Sequence, residues 1–260
     1  IAGSDSSGGA GIQADIKTIS ALGCYAASVI TALTAQNTQG VQAIFDVSAD
    51  FVMQQIESVF SDLSVDVVKI GMLHDENIIA VVSAGLKKFS PNHIVLDPVM
   101  IAKSGDALLK PHTLDFLKKE LFPQATLITP NIPEMEKCLE RHIQTAEQQQ
   151  QAAMDAGQLF KTNVLVKGGH LDSSQASDVL YIFAENHCHW FHAERITSQN
   201  THGTGCTFAS AIAANLAKKY SLIEAVDAAK KYLTAAIQSA KDSHIGQGSG
   251  PVDHFYFLGN

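Results

Sequence analysis

The sequence has little charge, few basic residues and no long hydrophobic run. Only 17% of its 260 residues are charged, and 18 Lys and Arg stand against 26 Asp and Glu, which gives a formal net charge of −8. A nucleic-acid-binding protein needs a clustered basic face, and no apolar stretch approaches the roughly 18 residues of a membrane-spanning helix. The 46% hydrophobic content excludes a disordered chain. We expect a globular protein with no nucleic-acid or membrane partner.

Cysteine is also scarce, and its spacing excludes a disulfide framework. The four cysteines, Cys24, Cys138, Cys188 and Cys206, are scattered with no CxxC pair. Together with the lack of a signal-peptide pattern, this predicts reduced thiols and a cytoplasmic location. The first apolar segment is very short, so we expect the first strand to lack its beginning. No linker, repeat or composition break divides the chain, which predicts one domain over residues 1–260.

Short apolar runs alternate with amphipathic stretches along most of the chain. Strands are predicted at residues 28–35, 65–70, 93–96, 126–128 and 163–166, and helices at 11–22, 50–63, 76–89, 111–121 and 145–160. Near-continuous apolar strands separated by helices predict a mostly parallel sheet covered on both faces. Residues 177–183 and 188–193 predict an antiparallel edge hairpin, an Ala-rich helix follows residue 207, and the glutamines at 148–151 are predicted to form a solvated helix face.

The glycine-rich segment at residues 3–11 lies between a strand end and a helix. Its backbone N–H groups and the helix dipole could hold an anion, or its glycines could serve the geometry of the turn alone. A P-loop is excluded because Gly9 stands where that motif requires lysine. A dinucleotide fingerprint needs an acidic residue at the end of the next strand, and none occurs between Asp15 and Asp46.

The segment NTHGTGCT at residues 200–207 precedes the Ala-rich helix. Its glycines and the helix N-terminus could neutralise an anion, and Cys206 in the first turn is expected to have a lowered thiol pKa. A base beside an anion hole suits phosphoryl transfer to an alcohol. The other interpretation is that Cys206 is a buried structural cysteine.

Histidines also cluster on the second strand of the predicted hairpin, around Cys188. An alternating strand places His187, Cys188, His189 and His192 on both of its faces, so we predict no metal site there.

As a set, these motifs resemble the hydroxymethylpyrimidine/phosphomethylpyrimidine kinases of thiamine biosynthesis, a branch of the ribokinase-like superfamily. The resemblance runs from the first residue to about residue 252, with Cys206 where that superfamily typically has Asp. Ser6 stands where proline is common, which is expected to loosen the turn. The matching stretches are residues 2–5, 8–15, 34–38, 69–73, 96–100, 102–105, 129–134, 166–170 and 200–207.

The resemblance implies a three-layer α/β/α sandwich and a role for each matching residue. Cys206 would be the general base, and the N–H groups of Gly203, Thr204, Gly205 and Cys206 would form the anion hole. Gln36 would bind the aminopyrimidine edge, for which an amide offers both a donor and an acceptor. The same pocket would be lined by Gly3, Asp5, Ala10, Met72 and Val99. Spacing alone favours Met72 and Val99 as core residues, and only the resemblance places them in the pocket.

The resemblance also implies ATP and Mg²⁺ as cofactors. Lys167, Asn131 and Thr201 would bind ATP, and Asp97 and Glu134 would hold hydrated Mg²⁺. The structural alternative for Asp97 is a turn residue before proline, and for Glu134 it is a cap on the helix dipole. Residues 102–109 are predicted to be a flap that excludes water.

The activity so implied is ATP-dependent phosphorylation of hydroxymethylpyrimidine and then of its monophosphate, by a homodimer. A pyridoxal or pyridoxine kinase of the same superfamily and a non-catalytic pyrimidine-binding protein are the alternatives.

Overall fold

The computed structural model describes residues 1–100, 108–110, 112–169 and 175–258. Its strands are β1 (Ala2–Asp5), β2 (Ile30–Asn37), β3 (Gly40–Asp46), β4 (Val67–Ile70), β5 (His93–Leu96), β6 (Leu127–Ile128), β7 (Asn163–Val166), β8 (Asp178–Ile182) and β9 (His187–Phe191). Its α-helices are α1 (Gly11–Ala21), α2 (Ala49–Asp62), α3 (Glu76–Phe89), α4 (Thr113–Glu120), α5 (Ile132–Leu139), α6 (Ala146–Phe160), α7 (Thr204–Ala217) and α8 (Leu222–Ala240).

The strands form one larger and one smaller sheet. The six-stranded sheet has the order β4-β5-β6-β7-β8-β9, in which β4 to β7 are parallel and β8 and β9 form the predicted antiparallel edge hairpin. In the three-stranded sheet, β1 pairs in parallel with β2, and β2 pairs in antiparallel fashion with β3. Backbone hydrogen bonds from Ile1 N to Lys69 O and from Gly71 N to Ile1 O, both 2.9 Å, join the two sheets.

Alternate residues of the central strands face two separate hydrophobic layers. On β5, Ile94 and Leu96 pack with α2 to α6, whereas Val95 between them packs with α7 and α8. This period of two is what buries both faces of a parallel sheet. The three-layer α/β/α sandwich is therefore confirmed. Among the described helices, none is both long and apolar enough to cross a membrane.

Helix ends follow the sequence signals for capping. α5 begins with a capping box in which Asn131 Oδ1 accepts from Glu134 N, and Glu134 Oε2 accepts from Asn131 N. Ser221 and Glu224 form the same arrangement at the start of α8. Each box satisfies N–H groups that a helix start leaves without partners. The α5 box also fixes its two residues at the end of β6, where the functional site lies.

The fold differs from the sequence analysis in two places, and a third predicted feature falls outside the described residues. β3 was not predicted, and it extends the small sheet. The glutamine run is not wholly solvated, because Gln149 is buried and its Nε2 donates to Val166 O at 2.9 Å and Ser177 O at 3.1 Å. Most of the predicted flap, residues 102–107, lies outside the described residues.

Candidate active site

The carboxyl ends of the parallel strands open into a cavity of about 440 Å³. Ligands of open α/β sheets bind at this edge. Every residue predicted for the site lines the cavity, namely Gly3, Asp5, Ala10, Gln36, Met72, Asp97, Val99, Asn131, Glu134, Lys167, Thr201, Gly203, Thr204, Gly205 and Cys206. Residues far apart in sequence thus meet at one place, but the cavity alone assigns no role to any of them.

The backbone N–H groups of the glycine-rich turn after β1 bind a carboxylate of the protein itself, that of Asp5. Asp5 Oδ1 accepts from Ser7 N at 2.8 Å, and Asp5 Oδ2 accepts from Gly9 N at 3.2 Å and Ala10 N at 2.8 Å. Burial alone would raise the pKa of Asp5, but the hydrogen bonds from His202, Ser7 and Ala10 outweigh burial and lower it. The N–H groups expected to meet a ligand anion are therefore occupied by the Asp5 carboxylate.

The start of α7 packs closely against the same glycine-rich turn. Gly203, which caps α7, has φ +78°, and a Cβ there would lie 1.8 Å from Gly9 O. Only glycine tolerates both the left-handed conformation and this approach. Within the described part of the chain, the N–H groups of Gly205 and Cys206 donate no hydrogen bond. They remain available to an anion in the cavity, whereas Thr204 N lies 3.4 Å from Thr201 O.

The expected lowering of the Cys206 pKa is wrong. Burial, together with the negative charges of Asp15 and Asp97, raises the pKa of the thiol to about 11, although Lys69 and the Gly11 N–H act to lower it. The favourable end of the α7 dipole does not compensate for removal of the sulfur from water. Cys206 is therefore a neutral thiol at pH 7 in the ligand-free protein.

A buried ion pair lies one helical turn beyond Cys206. Lys69 Nζ is 2.7 Å from Asp15 Oδ1, which also accepts from Ser210 Oγ at 2.8 Å. Burial alone would lower the pKa of the Lys69 ammonium, but the attraction of Asp15, together with that of Cys206 and Asp97, outweighs burial and the pKa is raised. Sequence analysis missed this pair. Its signal was a lysine within an apolar strand and an aspartate on the buried face of α1.

Close to the start of α7, Lys167 Nζ is 2.7 Å from Asp97 Oδ1. Thr129 Oγ1 donates to the same oxygen at 3.0 Å. The other oxygen, Asp97 Oδ2, lies beside Gly205, where an added Cβ would be only 3.2 Å away. The missing side chain at Gly205 therefore leaves this carboxylate oxygen facing the start of α7.

Glu134 completes this acidic side of the cavity. It is 7% exposed, and burial and the charge of Asp97 raise its pKa to about 7 despite the opposing effect of Lys167. Its capping role in α5 and its position in the cavity coexist. A cation beside the carboxylate would favour its charged form.

Polar groups from two strand ends surround Gln36. Ser6 Oγ donates to Gln36 O at 2.7 Å and accepts from Gln36 N at 2.9 Å, while Thr34 Oγ1 donates to Gln36 Oε1 at 3.0 Å. Ser6 therefore ties the turn to β2, contrary to the expectation that it loosens the turn. The Gln36 side chain is oriented by Thr34 at the edge of the cavity.

The floor beside Gln36 is apolar. Met72 packs with Ala32 and Leu108, and Val99 lies against this cluster. A Cβ at Gly3 would lie 3.0 Å from Met72 Sδ, so the glycine makes room for the thioether. This combination of an apolar floor and an oriented amide suits a small, flat heteroaromatic ring.

The two histidines of β9 lie away from this cavity and share one face of the strand, whereas Cys188 between them is on the other face. Cys188 and Trp190 pack toward the α2 to α6 layer, whereas the rings of His187 and His189 contact each other, 4.9 Å between centroids. Among the described residues, no group of three or more His, Cys, Asp or Glu is arranged to hold a metal ion.

The sandwich, its strand-end cavity, the open N–H groups of α7 and the nearby lysine and carboxylates are the features expected of the ribokinase-like phosphotransferases that the sequence resembles.

Comparison with known proteins identifies the family to which the chain belongs. A family model described as phosphomethylpyrimidine kinase matches residues 5–253. The hydroxymethylpyrimidine/phosphomethylpyrimidine kinase of Rhizobium meliloti strain 1021 is 52% identical over 259 residues, which are 98% of this chain and 96% of that protein. The chain belongs to the phosphomethylpyrimidine kinase family.

Solved structures agree with this placement. The phosphomethylpyrimidine kinase of Clostridium difficile 630 superposes with a TM-score of 0.80 and 46% identity, covering 90% of this chain and 96% of that chain. The ADP complex of Bacillus subtilis pyridoxal kinase superposes with a TM-score of 0.90 and 34% identity, covering 100% and 97% of the two chains. An adenine nucleotide is thus bound by a protein of the same fold.

Proposed function

We propose that this protein transfers the γ-phosphoryl group of ATP to the hydroxymethyl group of 4-amino-5-hydroxymethyl-2-methylpyrimidine, and then phosphorylates the monophosphate to the pyrophosphate. The observation that supports this most directly is the position of Cys206 in the first turn of α7. The Cys206 thiol and the open N–H groups of Gly205 and Cys206 thereby lie together at one side of the cavity. Lys167 and Asp97 face them from the ends of other strands.

The pyrimidine would lie on the apolar floor, with its amino edge toward Gln36. A ring nitrogen and an exocyclic amine need one donor and one acceptor, and the Gln36 amide supplies both. Met72 and Val99 contact the faces of the ring. This orientation directs the hydroxymethyl group toward Cys206 and the start of α7.

In the first phosphorylation, the hydroxyl oxygen attacks the γ-phosphorus, the bond from that phosphorus to the β,γ-bridging oxygen breaks, and ADP leaves. Cys206, as the thiolate, accepts the hydroxyl proton. The N–H groups of the α7 start neutralise charge on the transferred group, and Lys167 contacts the phosphates as a point charge. The second phosphorylation needs less help from a base because its nucleophile is already a phosphate oxygen.

The same arrangement fits a magnesium ion. Two buried carboxylates, Asp97 and Glu134, present hard oxygen donors to the cavity beside the proposed phosphate position, which is the donor set that Mg²⁺ prefers. The raised pKa of Glu134 indicates a carboxylate that gains from a neighbouring cation. When bound, Mg²⁺ would neutralise phosphate charge and offset the Asp97 charge that raises the pKa of Cys206.

Turnover of ATP with a panel of substrates tests this function. The purified protein is given ATP and Mg²⁺ with hydroxymethylpyrimidine or pyridoxal in parallel, and the products are resolved by mass. Monophosphorylated and then diphosphorylated pyrimidine is the expected result. Turnover of pyridoxal alone would assign the protein to vitamin B6 chemistry, and pyrimidine binding without ATP turnover would indicate a binding protein.

We further propose that the protein acts as a homodimer in the cytoplasm. Leu33 and Phe45 pair across β2 and β3 and are 44% and 70% exposed, so the small sheet presents apolar surface that a second copy could cover. Light scattering after size exclusion should give twice the chain mass, and Phe45→Lys should shift it to the monomer mass. The four free thiols and the use of ATP support the cytoplasmic location.

A further inference from the structure

The turn that follows β7 is held by a buried ion pair from two other elements. Asp178, the first residue of β8, accepts from Gly168 N through Oδ1 at 2.9 Å. Its Oδ2 lies 2.6 Å from the ammonium of Lys230, which is on α8. The two side chains are only 4% and 10% exposed. The backbone directly after Lys167 is therefore fixed by a carboxylate that is itself fixed from α8.

Further hydrogen bonds hold the chain on both sides of this turn. Lys230 Nζ also donates to Ala176 O at 2.7 Å. The buried amide of Gln149 joins Val166 O, before the turn, to Ser177 O, just before β8. The ends of the connection between β7 and β8 are thus fixed to each other and to α6 and α8.

The turn has no room to adjust at Gly168. A Cβ on this residue would lie 1.9 Å from Ser177 O and 2.8 Å from Gln149 Nε2. Since the backbone packs this closely against the start of β8, any movement of Asp178 must be transmitted to Gly168 and its neighbour Lys167.

Stability alone is a weak reason for such a pair. A buried ion pair often contributes no more than apolar residues of similar volume would, because desolvation opposes the attraction between the charges. What this pair provides is a defined position for the backbone N–H of Gly168. The residue before that N–H is Lys167, whose own N donates to Pro130 O at 2.9 Å and whose Nζ reaches Asp97.

We propose that Asp178 and Lys230 are positioning residues for the nucleotide half of the site, through the Gly168 N–H and Lys167. This inference rests on the proposed function, in which Lys167 contacts the phosphates of ATP. It assigns the pair no contact with the pyrimidine, which lies at the ends of β1, β2 and β4. Loss of the pair should therefore weaken ATP binding and leave pyrimidine binding unchanged.

Two double variants separate the hydrogen bond from the charges. Asp178→Val with Lys230→Met removes both charges and the acceptor for Gly168 N. Asp178→Asn with Lys230→Met removes the charges but keeps an amide oxygen in the place of Oδ1. A lost hydrogen bond of about 1.4 kcal/mol corresponds to a factor of ten, so the first variant should raise the KM for ATP and the Kd for ADP about tenfold. The second should raise them by less than threefold.

Val179→Ala serves as the matched control. Val179 follows Asp178 in β8 and is fully buried in the α2 to α6 layer, so its truncation destabilises the same strand without removing a contact to the turn. It should leave the KM for ATP unchanged. Equal increases in the KM for ATP and for the pyrimidine in the valine variant would overturn the proposal, as would an effect of Val179→Ala as large as that of the pair.

Calorimetric titration with ADP keeps this test separate from the proposed function. If the wild-type protein binds ADP but phosphorylates no pyrimidine, the proposed function fails while the positioning role is still measured. If the valine variant does not fold, the asparagine variant decides: a tenfold loss of ADP affinity with the amide oxygen in place would contradict the role of the Gly168 hydrogen bond.

Discussion

The imidazole Nε2 of His202 lies 2.7 Å from Asp5 Oδ2. This contact joins the segment before α7 to the glycine-rich turn after β1, across 197 positions of the chain. Because Asp5 also accepts three backbone N–H groups of that turn, one carboxylate sets the relative position of the two loops that enclose the cavity. His202 is therefore part of the site, although sequence analysis assigned it no role.

Loss of the His202 contact should loosen both loops. His202→Ala removes the imidazole donor of a buried carboxylate, so we expect the free energy of unfolding to fall by about 1–3 kcal/mol and the KM for the pyrimidine to rise. Urea unfolding and steady-state kinetics measure the two effects. His202→Gln, which keeps an N–H donor, should recover part of both, and a His202→Ala protein with wild-type stability and KM would contradict this account.

Removal of the Glu134 charge should raise the magnesium requirement. Glu134→Gln keeps an oxygen for Asn131 N but takes away one of the two proposed ligand carboxylates. The Mg²⁺ concentration for half-maximal rate should rise about tenfold in both phosphorylations, since a charged ligand is lost.

Glu224→Gln provides the control for that variant, because Glu224 holds the same position in the capping box of α8 and has no place in the cavity lining. A similar Mg²⁺ dependence in the two variants would show that Glu134 acts only as a helix cap.

The first phosphorylation should accelerate with rising pH. With the pKa of Cys206 raised to about 11, the thiolate fraction increases about tenfold per pH unit between pH 7 and 9. Cys206→Asp places a carboxylate there, whose pKa is ordinarily near 3.9, so its profile over this range should be flat. Single-turnover rates with saturating ATP measure the profile. A flat wild-type profile would contradict a rate that depends on the thiolate form of Cys206.

Acid should destabilise the protein through His254. Burial and Lys17 lower the pKa of this histidine from 6.5 to about 4. The unfolded chain therefore binds a proton near pH 6.5 that the folded protein binds only near pH 4. Stability is fully present above pH 6.5 and falls through this window by up to about 1.4 kcal/mol per pH unit.

His254→Gln lacks this titration while keeping a polar partner for Thr207 Oγ1, which lies 3.1 Å from the histidine Nε2. Urea unfolding at pH 7.5 and 5.0 should show a smaller loss for the variant than for the wild type. Equal losses would rule out His254 as the source.

Local patterns predicted the central elements well. The bounds of α3, β5 and β7 are those predicted, because strong amphipathic or apolar periodicity and clear breakers mark them. β3 escaped prediction because all of its residues are exposed or half-buried, so neither of its faces needs an apolar pattern. The motifs of the family resemblance predicted residues that the fold does bring to one cavity.

The electrostatics of the site were beyond sequence reasoning. A helix N-terminus suggests a low thiol pKa, but the actual direction at Cys206 depends on burial and on Asp15 and Asp97, which come from other elements. The Asp15–Lys69 pair spans 54 positions. Charges separated in this way are set by tertiary packing, which no local pattern encodes.

The different roles proposed for Cys206 in the two phosphorylations provide the most direct test. If Cys206 is the base that only the alcohol needs, Cys206→Ala should slow the first step by about 10²–10⁴-fold and change the second by less than tenfold. Cys188→Ala, a thiol on β9 away from the cavity, should leave both steps unchanged.

The decisive measurement gives hydroxymethylpyrimidine and its monophosphate separately to the wild type and Cys206→Ala, and follows each product by mass. Selective loss of the first step is the predicted result. Equal losses in both steps would contradict the assignment of Cys206 as the base.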